Sequence, residues 1–506
     1  MTSVAPFQDL PSLIAGHAAQ RTEAQALCCG DQRLSYGQLA ARISRVAATL
    51  QAHGLGPGDA VAVCAGTSID YVAVFLGALR AGLTVAPLAP GSTPAQLLDM
   101  ARDADARLVF LDALGSGLNV AWPAPTVSLQ GSSLDSWLQP PDVLPRPVNI
   151  DPAWPFNIIY SSGTTGTPKG IVQPHAMRWA HIQRAGLSGY STDTVTMIAT
   201  PLYSNTTLVC LIPTLAFGGC AVLSPKFDAL RYLQLAQTHR ATHTMLVPVQ
   251  YQRLMAHPDF DRFDLSSFRA KFSTSAPFHA ELKADILKRW PGALTEYYGL
   301  TEGGGTCVLQ AHLHPDKLHT VGQPVEGHDI RLIDEDGNEV ATGHSGEVVG
   351  RSPGMMTGYH KQPALTRAAE WFDAEGRRYI RTGDVGRFDD DGFLTLHDRR
   401  KDMIISGGFN IYPSDLEAVL RTHADVADVA VVGVPSAEWG ETPVAFCVLR
   451  DGATVGADGL RAWINSQVGK TQRLHALRLL AELPRSAIGK VLKRELRDAW
   501  AESVSP

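Results

Sequence analysis

The sequence predicts an α/β protein. A large N-terminal domain of parallel and mixed sheets with helices carries a small antiparallel, barrel-like unit, and a small α+β C-terminal domain follows. Three observations predict this. Over the first 150 residues, apolar runs of strand length alternate with helically spaced segments, the pattern of parallel strands joined by covering helices. From Ile330 the texture turns to alternating strands punctuated by Asp-Gly and Pro-Gly, which suits an antiparallel unit. After a short charged run, Asp398-Arg399-Arg400-Lys401-Asp402, the chain restarts with a pattern of its own. The expected division is residues 1–397, a hinge at 398–402, and a mobile domain at 403–506. At 506 residues the chain exceeds one ordinary core.

The elements are justified in order. Leu34-Ser35-Tyr36 leads a helix over 38–51, whose apolar residues recur at helical spacing. The turn 54–58 (GLGPG) separates it from a buried strand at 61–64. A helix over 71–81 follows, then strands at 84–88 and 107–111. The four prolines of 139–147 mark a surface linker. FNIIY, 156–160, reads as a strand running into YSSGTTGTPKG, and a helix is expected over 175–185. Strands at 195–200, 221–223, 245–247, 271–275 and 294–298 alternate with helices over 208–217 and 279–290. In the last hundred residues, helices at 413–421 and 459–468 flank strands at 426–434 and 443–449.

Composition narrows the function classes. The chain is 45% hydrophobic and 19% charged with a net charge of −6, so no general electrostatic pull toward nucleic acid or an anionic membrane is expected. Seven scattered cysteines without a C-x-x-C pair suggest neither a disulfide framework nor a zinc site. Reduced thiols and the lack of a signal-peptide pattern point to a cytoplasmic protein. The most apolar window, 71–83, is too short to span a bilayer.

The segment Tyr160–Gly170 carries the strongest chemical signal. Its glycines let backbone N–H groups approach an anion, and its hydroxyls and one ammonium suit a polyphosphate. It is not a G-x-x-x-x-G-K-[ST] loop, because Pro168 takes the second glycine's place and Gly170 follows Lys169. Four other segments stand out: Tyr297-Tyr298-Gly299-Leu300-Thr301-Glu302-Gly303, Arg381-Thr382-Gly383-Asp384, DRRKDMIISGGFNIYP from Asp398, and PRSAIGK ending at Lys490. Taken singly, each has an ordinary structural explanation: a core tyrosine, a turn aspartate, a glycine bend, a surface lysine.

Together, in this order, they resemble the adenylate-forming superfamily of acyl-CoA synthetases, peptide-synthetase adenylation domains and firefly luciferase, over nearly the whole chain. The resemblance implies ATP, Mg²⁺ and coenzyme A, and a two-step reaction through acyl-AMP. It implies that Ser161, Ser162, Gly163, Thr164, Thr165, Gly166 and Lys169 bind phosphates, that Thr301 meets the α-phosphate, and that Glu302 holds the metal. Tyr298 would stack on adenine beside Ala276, Tyr297 and Gly299, while Asp384 and Arg399 would fix the ribose. Lys490, Thr301, Glu302 and Lys169 are the implied catalytic set. Lys401 matches the hinge position, and Ser406, Gly407, Gly408 and Phe409 match the coenzyme A channel. The acyl pocket would draw on Tyr203, Ser204, Asn205, Thr206, Ser275, Gly299, Gly304 and Cys307. Cys307 is expected to be a packed thiol.

Within the family, a free-standing acid–CoA ligase is favoured, working on a small-molecule acid as a monomer or homodimer. Ser204 stands where amino-acid-activating domains carry an aspartate, which argues against an α-amino acid. It also replaces the histidine or aromatic that gates many CoA ligases. No cationic side chain stands clearly among the pocket positions, so a medium-chain, alicyclic or aromatic acid is expected. The alternatives are an enzyme that loads a separate carrier protein and, from another class, a non-catalytic nucleotide-binding protein. The intact Lys169, Glu302, Asp384 and Lys490 argue against the latter.

Overall fold

The structure, a computed structural model, describes residues 6–161, 169–399, 402–406, 409–436, 438–486 and 489–504. Of the expected site residues, Ser162, Gly163, Thr164, Thr165, Gly166, Lys401, Gly407 and Gly408 lie outside the described residues. The chain divides into two compact units. The first comprises Met1–His319, Pro324–Asp329 and Gly350–Ile380; the second comprises Thr320–Gln323, Ile330–Val349 and Arg381–Pro506. The strand Arg378–Phe388 therefore starts in the first unit and ends in the second.

Two sheets build the first unit. In one, the path from Gly303–Gln310 runs through Ala293–Leu300, Ala270–Ser273, His243–Leu246, Val195–Ile198, Cys220–Leu223 and Gln25–Cys29 to Gln32–Ser35. Its central pairs are parallel, and the Ala293–Leu300 and Gly303–Gln310 pair is antiparallel. The other runs Gly358–Tyr359, Lys169–Pro174, Pro155–Ser161, Thr84–Leu88, Ala60–Cys64, Ala106–Leu111, Thr126–Ser128.

The helices Tyr36–Ala52, Ile69–Arg80 and Asn205–Ala216 share one core with residues of both sheets. Ile69–Arg80 is buried almost all round, which its continuous apolar sequence requires. Ser35 caps the first of these helices in a capping box with Gln38, and Ser68 caps the second.

In the second unit, Phe409–Ile411, Ile404–Ser406, Gly440–Leu449 and Val426–Ser436 form an antiparallel path, with Ala476–Leu479 parallel to Gly440–Leu449. The helices Pro413–Arg421 and Ala457–Gln467 bury Leu416, Leu420, Leu460 and Ile464 against one face of this sheet. Among the described residues, no helix is long and apolar enough to cross a membrane.

Candidate active site

The strands Pro155–Ser161 and Lys169–Pro174 on either side of the segment 162–168 pair antiparallel. Ser161 ends the outgoing strand opposite Lys169, which begins the return. Lys169 Nζ lies 5.6 Å from the centre of the Tyr359 ring. Tyr359 is placed by its own short strand, which pairs with the return strand so that Tyr359 faces Ile171. Its phenol donates to Glu302 Oε1 at 2.8 Å. Burial, then the neighbouring Glu302, holds that phenol above its ordinary pKa, so it remains a donor.

Glu302 sits at the tight connection between Ala293–Leu300 and Gly303–Gln310. Gly303 follows at φ 81°, and a Cβ there would lie 2.2 Å from the Gly354 carbonyl oxygen, so only glycine fits. The second Glu302 oxygen takes no hydrogen bond among the described residues. Nor is there a group of three His, Cys, Asp or Glu able to cage a metal among them. A single carboxylate with one open oxygen suits Mg²⁺ held jointly with substrate phosphates.

Thr301 is fixed from below. Gln173 Nε2 donates to the Thr301 carbonyl at 2.7 Å and to Asn205 Oδ1 at 3.3 Å. Gln173 Oε1 accepts from Asn157 Nδ2 at 2.9 Å and from Arg178 Nη2. Arg178 also donates to Asn157 Oδ1 through Nη2 at 2.9 Å and Nε at 3.2 Å. Arg178 is 1% exposed, and burial pulls its pKa down to about 9. The strands Pro155–Ser161 and Lys169–Pro174, Thr301 and the first residue of the Asn205–Ala216 helix are thus joined through one buried polar network.

Four of the expected acyl-pocket residues are held by side-chain hydrogen bonds. Ser204 is a helix cap, its Oγ accepting from the Thr206 N–H at 3.3 Å; that role accounts for the small hydroxyl in place of a gate. Thr206 Oγ1 and Ser275 Oγ are 2.7 Å apart, and Ser275 is held at φ 81°. Asn205 belongs to the network under Thr301.

The ladder shifts register between Tyr298 and Leu300, around Gly299, whose absent Cβ would meet Gly305 O at 3.3 Å and Thr306 Oγ1 at 3.5 Å. The run Gly303–Gly305 lies in a strand: a Cβ at Gly304 would press on Gly350 O at 3.0 Å and Ile380. These glycines therefore admit backbone rather than leave room for an acyl group. Cys307 is fully buried, opposite Tyr298 in the ladder, and burial pushes its thiol up, so it is a packed side chain. Tyr203, Ala276 and Tyr298 are half-buried.

Basic side chains outside the expected pocket positions come close to these strands, supplied by the His175–Ala185 helix, which carried no expected site residue. Arg178, His181 and Arg184 share it, and His181 feels Arg178, Arg184 and His328 electrostatically. Gln173, Tyr359 and these four were absent from the expected set. Their only sequence signal is polar residues within otherwise apolar stretches.

The second unit carries the rest. Asp384 is buried and pairs in register with Arg399. Its N–H donates to Thr382 Oγ1 at 3.0 Å, and that hydroxyl donates to Val348 O at 2.8 Å. Arg381 is clamped by both oxygens of Glu347. Ser406 and Phe409 pair in register between antiparallel strands. Lys490 is exposed and tied to Ser486: Ser486 N–H donates to Lys490 O at 2.8 Å, and Lys490 N–H to Ser486 Oγ at 3.2 Å. Arg485 donates to Gly489 O at 2.7 Å and pairs with Asp428 at 2.5 Å.

Comparison with known proteins agrees with these features. The family described as AMP-binding enzyme matches residues 14–360, and the AMP-binding enzyme C-terminal domain matches 415–490. The chain is 32% identical to a feruloyl-CoA synthase of Amycolatopsis sp over 97% of its own length and 99% of the relative's. It is 32% identical to an indoleacetate–CoA ligase of Aromatoleum aromaticum, covering 97% and 98% of the two chains. The crystal structure of ATP-bound MatB from Rhodopseudomonas palustris superposes with a TM-score of 0.86 at 28% identity, covering 98% of this chain and 100% of that one.

Proposed function

The chain belongs to the AMP-binding enzymes, the AMP-forming acid–thiol ligases, and from that premise we propose that it joins a carboxylic acid to coenzyme A in two half-reactions. In the first, a carboxylate oxygen attacks the α-phosphorus of ATP; the bond to the β-phosphate breaks and pyrophosphate leaves. In the second, the thiolate of coenzyme A attacks the acyl carbon and AMP departs. The observation that carries this is Glu302, held by the phenol of Tyr359, whose ring lies beside Lys169.

Each residue's part follows from charge. A carboxylate and a triphosphate repel, so their approach needs cations and fixed dipoles. Mg²⁺, when bound, neutralises phosphate charge. Glu302 offers one oxygen to it while Tyr359 holds the other. Lys169 and the hydroxyls that precede it in sequence meet the terminal phosphates, and Thr301, anchored by Gln173, meets the α-phosphate. Tyr298 stacks on the base, and Asp384 with Arg399 holds the ribose. Lys490 neutralises charge in the first step and gives way to Ser406–Phe409 in the second, the charged run at 398–402 acting as the hinge. Residence in the cytoplasm completes the proposal.

Pyrophosphate release from Mg-ATP, measured across a panel of carboxylic acids with and without coenzyme A, tests it. Turnover that needs coenzyme A and yields a thioester is expected. A single equivalent released regardless of coenzyme A would point to another acceptor, and no release with any acid would remove the ligase reading.

A further inference from the structure

Four nitrogen-bearing side chains gather beside the strands that carry Tyr297 and Thr306. Arg178, His181 and Arg184 follow one another at a spacing of three along the His175–Ala185 helix, sharing one broad face. His328 approaches within electrostatic reach of His181, as do both arginines. Among the described residues, neither Arg178 nor Arg184 has a carboxylate partner. The Arg184 guanidinium instead lies 5.8 Å from the centre of the Tyr297 ring.

Hydrogen bonding is incomplete in the same place. Arg178 is buried, yet among the described residues its Nη1 has no partner, and neither has the buried Nδ1 of His181 one turn along. The Nδ1 of His328 accepts from the Thr306 N–H at 3.0 Å, which leaves its proton on Nε2 as a donor.

The cluster borders the pocket strands directly. Thr306, which His328 holds, is the residue a Gly299 Cβ would touch. Gly354, whose carbonyl abuts Gly303, comes within 3.9 Å of His181 Nε2 at the position its own Cβ would take. Tyr297, under Arg184, precedes Tyr298 and Gly299 on the same strand.

A desolvated guanidinium without a counter-charge is costly. A fold that sets the buried Arg178 and the half-buried Arg184 on one face, with two imidazoles beside them, fits a ligand that brings the missing negative charge. We propose that the acid activated by this protein carries a second carboxylate, remote from the one that is adenylated, and that Arg184 receives it with His181 and His328 alongside. This rests on the ligase reading and names its substrate class.

The test compares acids matched in length and shape, one member of each pair bearing the second carboxylate: hexanoate with adipate, and 3-phenylpropanoate with its 4-carboxy derivative. Pyrophosphate release gives kcat/KM for each. The diacid is expected to lead its partner by at least about tenfold, since a site built around buried polar groups rejects the analogue lacking the complement. In Arg184→Met that ratio is expected to fall to about one, mainly through the KM of the diacid, and Arg184→Lys should restore most of it.

Equal or better turnover of the monoacids by the natural protein would overturn the inference while leaving the ligase reading intact, and needs no variant to fold. If no acid is turned over, the ligase reading fails, and calorimetric binding of the same pairs decides the inference alone. Tighter binding of the diacids would uphold it and equal binding would overturn it.

Discussion

Tyr359 donates one hydrogen bond to Glu302, and that bond sets how the carboxylate faces its surroundings. In Tyr359→Phe the ring still packs beside Lys169 but no longer orients Glu302. Outer partners of this kind are worth about 10- to 100-fold in metal affinity. Titration of activity with Mg²⁺ should show the half-saturating concentration rising by about tenfold, with thermal stability little changed. An unchanged Mg²⁺ dependence would mean that Glu302 orients itself.

At this scale the sequence showed the motif residues and hid their partners. Glu302 and Lys169 stand in segments with a chemical signature. Tyr359 belongs to a two-residue strand with none, and only the pairing with Ile171 brings it across to Glu302.

Among elements, the network under Thr301 ties the strands Pro155–Ser161 and Lys169–Pro174 to the Asn205–Ala216 helix. Gln173 makes bonds in four directions and is fully buried. Gln173→Leu would leave Arg178 and Asn157 short of partners and free the Thr301 carbonyl. A loss of about 2–4 kcal/mol in a urea titration is expected, since unsatisfied buried donors keep their desolvation cost.

Two buried imidazoles add a pH dependence. His175 is 3% exposed and His243 is fully buried; burial takes each pKa from 6.5 down to about 4. The folded state therefore keeps both neutral, and the unfolded chain takes up the protons first. Their contribution is complete above pH 6.5 and is lost as the pH falls from 6.5 toward 4, by at most about 3 kcal/mol each. Denaturation midpoints should drop across that window, and His243→Asn should flatten the drop.

The His175–Ala185 helix shows why its cationic residues were not foreseen. Its bounds follow from the spacing of its residues, but HAMRWAHIQRA reads as a helix with one wet face. His175 and Arg178 turn instead into the protein, and no local pattern records which faces a neighbouring strand will cover.

For the molecule as a whole, the division of labour between half-reactions is the testable property. Lys490 follows Gly489, whose carbonyl accepts from Arg485, itself paired with Asp428. Lys490→Ala should lose acyl-AMP formation by a factor on the order of 10² to 10³. It should still convert supplied acyl-AMP to the thioester at near the natural rate. Parallel loss in both assays would argue that one arrangement serves both steps. The alternation of strand and helix over the first 150 residues was legible because periodicity and turn residues carry it. The affiliation of 320–323 and 330–349 with the C-terminal unit was not, because it depends on pairing between segments distant in sequence.

The strand that begins in one compact unit and finishes in the other bears on how this chain could be recombined with a relative. A crossover at Ile380 would sever Arg378–Phe388 and hand Asp384 to the donor, together with the Thr382 hydroxyl that meets its N–H. A crossover beyond Arg399 leaves the strand, its partner and Asp384 with the host. Where the seam is sewn thus decides which parent supplies that carboxylate, and hybrids that look equivalent on a domain map would differ in it.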